Sequence, residues 1–146
     1  MKKISITLLL LAMLCVWVAC KKSKSSTPDP VIARGMHAKI NGVAWAATYI
    51  SYISAGNYID VSGYDSATGK TVDLRIGNFK TRGTFNIPQA NDSAFYASDY
   101  GVLLTPLVAT SGTIAIQAVN DTAVGGSFSF TAGSITVTEG TFNSNY

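Results

Sequence analysis

The sequence predicts an all-β fold, a single antiparallel β-sandwich or partly closed barrel of about eight to ten strands. Three observations carry that expectation. Apolar and polar residues alternate with period two in run after run, which lines one face of a strand. Asn-Gly, Asp-Ser and glycine turn signals separate the runs at short spacings. No window sustains helical periodicity, and only 13% of the 146 residues are charged, too few for a solvated helical bundle.

The elements follow in chain order. Met36 to Ile40 and Val43 to Ala46 flank Asn41-Gly42, the strongest short hairpin signal. Ile59, Val61 and Gly63 alternate with Asp60, Ser62 and Tyr64, and Val72, Leu74 and Ile76 with Thr71, Asp73 and Arg75. Between them Asp65 to Gly69 supplies an Asx turn and a glycine for positive φ, making a second hairpin. Ile114, Ile116 and Ala118 mark a further strand, Phe128 and Phe130 another, and Ile135 and Val137 a third. Weaker strands are expected at Thr48 to Ala55, Thr84 to Ile87 and Ala94 to Tyr100, and Pro106 makes the stretch from Val102 to Ser111 an edge or a loop.

The first 30 residues read differently. Lys2 and Lys3 precede an apolar run from Ile4 to Ala19, the pattern of a secretory signal over residues 1–19. The run is short for a membrane span, which needs about 20 apolar residues. The lysines that follow it would nevertheless suit an uncleaved anchor under the positive-inside rule. Val18-Ala19-Cys20 resembles the end of a bacterial lipobox, whose Cys is diacylated and then N-acylated, and an ordinary cleaved signal is the alternative. Several acyl chains on Cys20, palmitate among them, would hold the protein stably on a bilayer, whereas one anchors only marginally. Residues 20–30 then form a lipidated cysteine and a flexible tether, polar and proline-ended, before a domain over residues 31–146. Both cysteines, Cys15 and Cys20, precede that domain, so its stability comes from packing and strand pairing alone.

Ala38-Lys39-Ile40-Asn41-Gly42-Val43-Ala44-Trp45, Gly125-Gly126-Ser127-Phe128-Ser129-Phe130-Thr131-Ala132 and Val137-Thr138-Glu139-Gly140-Thr141-Phe142-Asn143 together resemble a family of small uncharacterised lipoproteins of Bacteroidota-type bacteria. The likeness spans most of the domain. Its motifs are strand and turn patterns, so it implies the fold and a location at the outer membrane of the cell envelope, facing the periplasm or the surface. It implies no activity.

Chemistry is constrained mainly by what is missing. The formal +3 resides in the leader and tether, leaving six basic against seven acidic residues in the domain, which lacks the basic footprint of nucleic-acid binding. His37 is the only histidine, no paired-Cys or HExxH motif occurs, and neither a zinc site nor a nucleophile–base pair can be assembled. His37 therefore reads as a surface or edge residue of the first hairpin. Asn91, Asp92 and Asp99 lack EF-hand spacing and read as turn residues. Asp60 and Asp73 lie on polar strand faces, and pairing of Asp73 with Arg75 along its strand is the simplest account. No catalytic residue, metal ligand or cofactor is assigned, and the chain is expected not to be an enzyme.

Two features remain. All seven tyrosines lie in the domain; Tyr58 and Tyr64 share a polar face with Asp60 and Ser62, and Tyr96 and Tyr100 share a parity on another strand. Such rings suit stacking on sugars or anchoring a partner protein, while cross-strand packing is the plainer use. Ser66, Ser93 and Thr122 each follow an Asp and precede an Ala, resembling an O-glycosylation acceptor of the same bacterial group, and Asp-Ser and Asp-Thr are also good turn formers. The expected function is a binding or interaction module on a membrane-anchored envelope lipoprotein, for a glycan or an envelope protein. A lipocalin-like carrier of a small hydrophobic ligand is the alternative, and a glycan hydrolase a more distant one.

Overall fold

The structure, a computed structural model, describes residues 35–99 and 106–145. Among them are eleven strands: β1 (Gly35–Ile40), β2 (Val43–Ala46), β3 (Tyr49–Ala55), β4 (Tyr58–Tyr64), β5 (Thr71–Gly77), β6 (Gly83–Ile87), β7 (Ser93–Ala97), β8 (Leu107–Val108), β9 (Ser111–Val119), β10 (Ala123–Ala132) and β11 (Ile135–Asn145). They form a six-stranded sheet in the order β2-β1-β11-β10-β9-β6 and a five-stranded sheet in the order β3-β4-β5-β7-β8. Every pairing is antiparallel. The sheets pack face to face as a sandwich, and neither closes into a barrel.

Local chemistry explains the turns. Asn41 and Gly42 both take positive φ, as a two-residue hairpin turn requires. Asn41 also ties its hairpin to β11, its side-chain oxygen accepting from the Thr136 N–H at 2.8 Å and the Thr136 hydroxyl at 3.2 Å. At the second hairpin Asp65 accepts from the Ala67 N–H at 3.0 Å, and Gly69 turns with φ +72°. The strand count exceeds the sequence expectation through β8, a two-residue edge strand that begins directly after Pro106.

Ile59 and Val61 of β4 and Val72, Leu74 and Ile76 of β5 are buried on the inner face of the five-stranded sheet. Phe128 and Phe130 of β10, Ile114 of β9, and Met36 and Ile40 of β1 face them from the six-stranded sheet. Gly63 makes room where Trp45 crosses between the layers, since a Cβ there would stand 2.7 Å from Met36 Sδ and 3.0 Å from Trp45 Cη2.

Two bulges overturn the simple alternation. Between Phe128 and Phe130 the β10–β11 register shifts, and Glu139 takes φ +52°. Val137 and then Gly140 and Phe142 consequently all face inward. In β9 the register skips Gln117, so Val119 rather than Ala118 continues the inward face set by Ile114 and Ile116. Alternation through Ala118 was therefore wrong for the end of that strand.

Candidate functional site

The outer face of the five-stranded sheet gathers the aromatic and charged residues that the sequence singled out. Antiparallel register aligns three cross-strand rows: Tyr49, Tyr64 and Thr71; Ser51, Ser62, Asp73 and Phe95; Ile53, Asp60, Arg75 and Ser93. A fourth row brings Ala55 to Tyr58. Period-two alternation on β4 and β5 buries the aliphatic set and sends these residues outward.

Arg75 organises the centre. Its Nε donates to Asp60 Oδ1 at 2.8 Å and its Nη2 to Asp60 Oδ2 at 2.9 Å, a fork that fixes both side chains. The same guanidinium lies 4.8 Å from the centroid of the Tyr58 ring. Asp60 thus replaces Asp73 as the partner expected for Arg75, because the cross-strand neighbour is closer in register than the residue two along the strand. The hydrogen bonds that Arg75 donates to Asp60 hold the Arg75 pKa above its ordinary value.

Asp73 is left in a different condition. Burial pushes its carboxyl up from the usual range and the Asp60 charge adds to this, opposed by the Ser62 hydrogen bond and the Arg75 charge. Its Oδ1 and the Thr71 hydroxyl are buried without hydrogen-bond partners. Both residues line a recess of about 250 Å³ with Phe95, Ala97 and Pro106.

At the margin of this face Tyr49 and Tyr64 stack, with ring centroids 6.4 Å apart and planes inclined by 17°. Tyr49 is 64% exposed and Tyr64 half-buried. Of the four tyrosines proposed from sequence as a binding surface, Tyr58 and Tyr64 lie on this face. Tyr96 does not: it is 4% exposed on the inner face of β7, opposite Val72, and burial raises its phenol pKa. Tyr100 lies outside the described residues, as do Cys20 and the signal and tether expected over residues 1–30. Parity within one strand cannot tell which of its faces meets the core, and here Ala94 and Tyr96 face inward while Phe95 faces out. Tyr49 was missed, although the β3–β4 hairpin that pairs it with Tyr64 is short enough to have shown the contact.

The remaining residues stand apart. His37 is exposed on β1, near Lys39, which donates to Glu139 Oε1 at 2.8 Å. Asp92 turns inward and accepts from the Gly77 N–H at 2.9 Å, so its carboxylate serves the fold. No group of three or more His, Cys, Asp or Glu residues suited to a metal occurs among the described residues. Ser66 and Thr122 are exposed in turns, the latter's hydroxyl donating to Asn120 Oδ1 at 3.2 Å, whereas Ser93 is half-buried at the start of β7.

A family model for a domain of unknown function, DUF6252, matches residues 33–145. The chain belongs to the DUF6252 family. All eleven described strands, and with them the whole outer face, fall inside the DUF6252 match. No curated protein and no solved structure matches the chain.

Proposed function

We propose that this DUF6252 domain is a glycan-binding module of a lipid-anchored cell-envelope protein, and that it binds through the outer face of the five-stranded sheet. The observation that carries the reading is the exposed Tyr49–Tyr64 stack beside the polar rows of Asp60, Ser62, Asp73 and Arg75. A sugar ring has an apolar C–H face, which packs on aromatic rings, and hydroxyls, which bond to fixed carboxylate and guanidinium groups. The Arg75–Asp60 fork holds such groups in one geometry before a ligand arrives, which lowers the ordering cost of binding. Anchoring rests on Cys20 and the signal before it, with the tether letting the domain stand off the bilayer.

This surface reading draws more support than a carrier, because the space between the sheets is filled by side chains such as Phe128, Phe130 and Phe142. It also draws more than a hydrolase, since both Asp60 oxygens accept from Arg75 instead of facing a second acid across a cleft. The test is a binding screen of the protein against envelope and host oligosaccharides, followed by Tyr49→Ala and Tyr64→Ala. A glycan should bind, and each substitution should weaken it roughly ten-fold, about 1.4 kcal/mol, with the melting temperature little changed. Binding indifferent to both substitutions, or no glycan bound at all, would refute the reading.

A further inference from the structure

Beyond ligand binding, the four sheet edges among the described residues are treated unequally. An exposed edge strand offers unpaired N–H and C=O groups to any passing strand, and proteins blunt such edges with shortness, proline or charge. β8 has two residues and follows Pro106; β2 has four. β6 has five, with Lys80 and Arg82 just before it and Pro88 directly after. β3 carries none of these devices. It runs seven residues, Tyr49–Ala55, pairs with β4 in unbroken register, and contains no charge, proline or bulge. Its side chains are exposed on both faces: Tyr49 and Ile53, at 64% and 67%, on the outer one and Tyr52, at 45%, on the other.

We propose that β3 is a self-association edge, pairing antiparallel with β3 of a second copy of this chain about a twofold axis at Tyr52. Three features select a second copy as the occupant. Twofold pairing sets the residue at the axis against its own symmetry mate, so a charge there would meet an identical charge, and this strand has none. Pairing centred on Tyr52 sets Tyr49 against Ala55 and Ser51 against Ile53, so outward residues meet outward residues and the pleat continues without a slip. Two five-stranded sheets then become one continuous sheet. The pairing also carries both Tyr49–Tyr64 stacks onto one face of that joint sheet. A single strand pair is a small interface, so the dimer forms reversibly and is favoured where copies are held close together.

The test uses the full chain. Sedimentation in detergent should show a monomer–dimer equilibrium for the parent, and Tyr52→Lys, which sets two ammonium groups at the axis, should weaken it at least ten-fold while circular dichroism keeps the parent's β signature. In native membranes Tyr52→Cys should give a disulfide-linked dimer under mild oxidation that the parent, with Cys15 and Cys20 alone, does not give. The same substitution at Val43 on the β2 edge should give none. A parent that stays monomeric at the highest soluble concentration, a Tyr52→Lys chain that still dimerises like the parent, or crosslinking through Val43→Cys in place of Tyr52→Cys would each overturn the proposal. A parent that binds glycan yet stays monomeric would overturn this proposal while leaving the proposed function standing.

Discussion

Asp73 shows how one residue can carry both a cost and a use. Its Oδ1 is buried without a partner, and an unsatisfied buried polar atom costs roughly 1–3 kcal/mol. Burial raises its pKa above the ordinary 3.8, so folding favours the protonated form. That contribution is fully present below about 3.8 and is lost as pH rises through the raised value. Asp73→Asn, which cannot ionise, should therefore melt above the parent at pH 7, and the gap should close as the solution is taken down to pH 3. Thermal melts across that range check it, and an Asp73→Asn chain that melts lower than the parent at pH 7 refutes the assignment. The sequence placed Asp73 on a polar face. It could not show that Arg75 would turn to Asp60 and leave Asp73 unneutralised, since that choice is made across strands.

At the scale of elements the sandwich depends on where backbones approach one another. Gly126 of β10 sits where the β9 register skips, and a Cβ there would lie 1.9 Å from the Ala115 carbonyl oxygen. A backbone atom cannot swing aside as a long side chain can, so Gly126→Ala should cost about 2–3 kcal/mol and lower the melting temperature by roughly 10 °C or more. Gly83→Ala on β6 is the contrast: its Cβ would meet only the Phe85 ring at 3.6 Å, and the melting temperature should change by no more than about 2 °C. Equal losses in the two variants would show that the bulge is not what requires Gly126. The hairpins were legible because Asn41-Gly42 and the Asp65 turn act within a few residues. The bulges at Glu139 and Gln117 were not, because a bulge is defined by the partner strand and leaves no local pattern.

At the scale of the whole molecule, the proposed lipid anchor lies in the sequence before the domain. Both cysteines precede β1, so no disulfide can brace the sandwich, and Cys20 is the residue the proposed anchor would acylate. Intact mass of the protein from the native membrane fraction should show the mature chain starting at acylated Cys20, with hexose-scale additions on the exposed turn residues Ser66 and Thr122 ahead of half-buried Ser93. Cys20→Ala should accumulate as unprocessed precursor, followed by fractionation and mass. Mature protein of unchanged membrane affinity in that variant would refute the lipid anchor, and an unmodified native mass would refute the glycosylation.

Every strand but β8, the two hairpins and, up to the bulges, the aliphatic residues that face the core were legible in the sequence, because alternation and turn chemistry act between near neighbours. It also put Tyr58, Tyr64, Asp60 and Asp73 on polar faces. Tertiary structure decided the rest. It buried Tyr96 and brought Tyr49 onto Tyr64, drew Arg75 to Asp60, and turned Phe142 inward past the Glu139 bulge. Each of these outcomes depends on which strands lie side by side and which sheet covers them, and those contacts join residues far apart in the chain that no local pattern records.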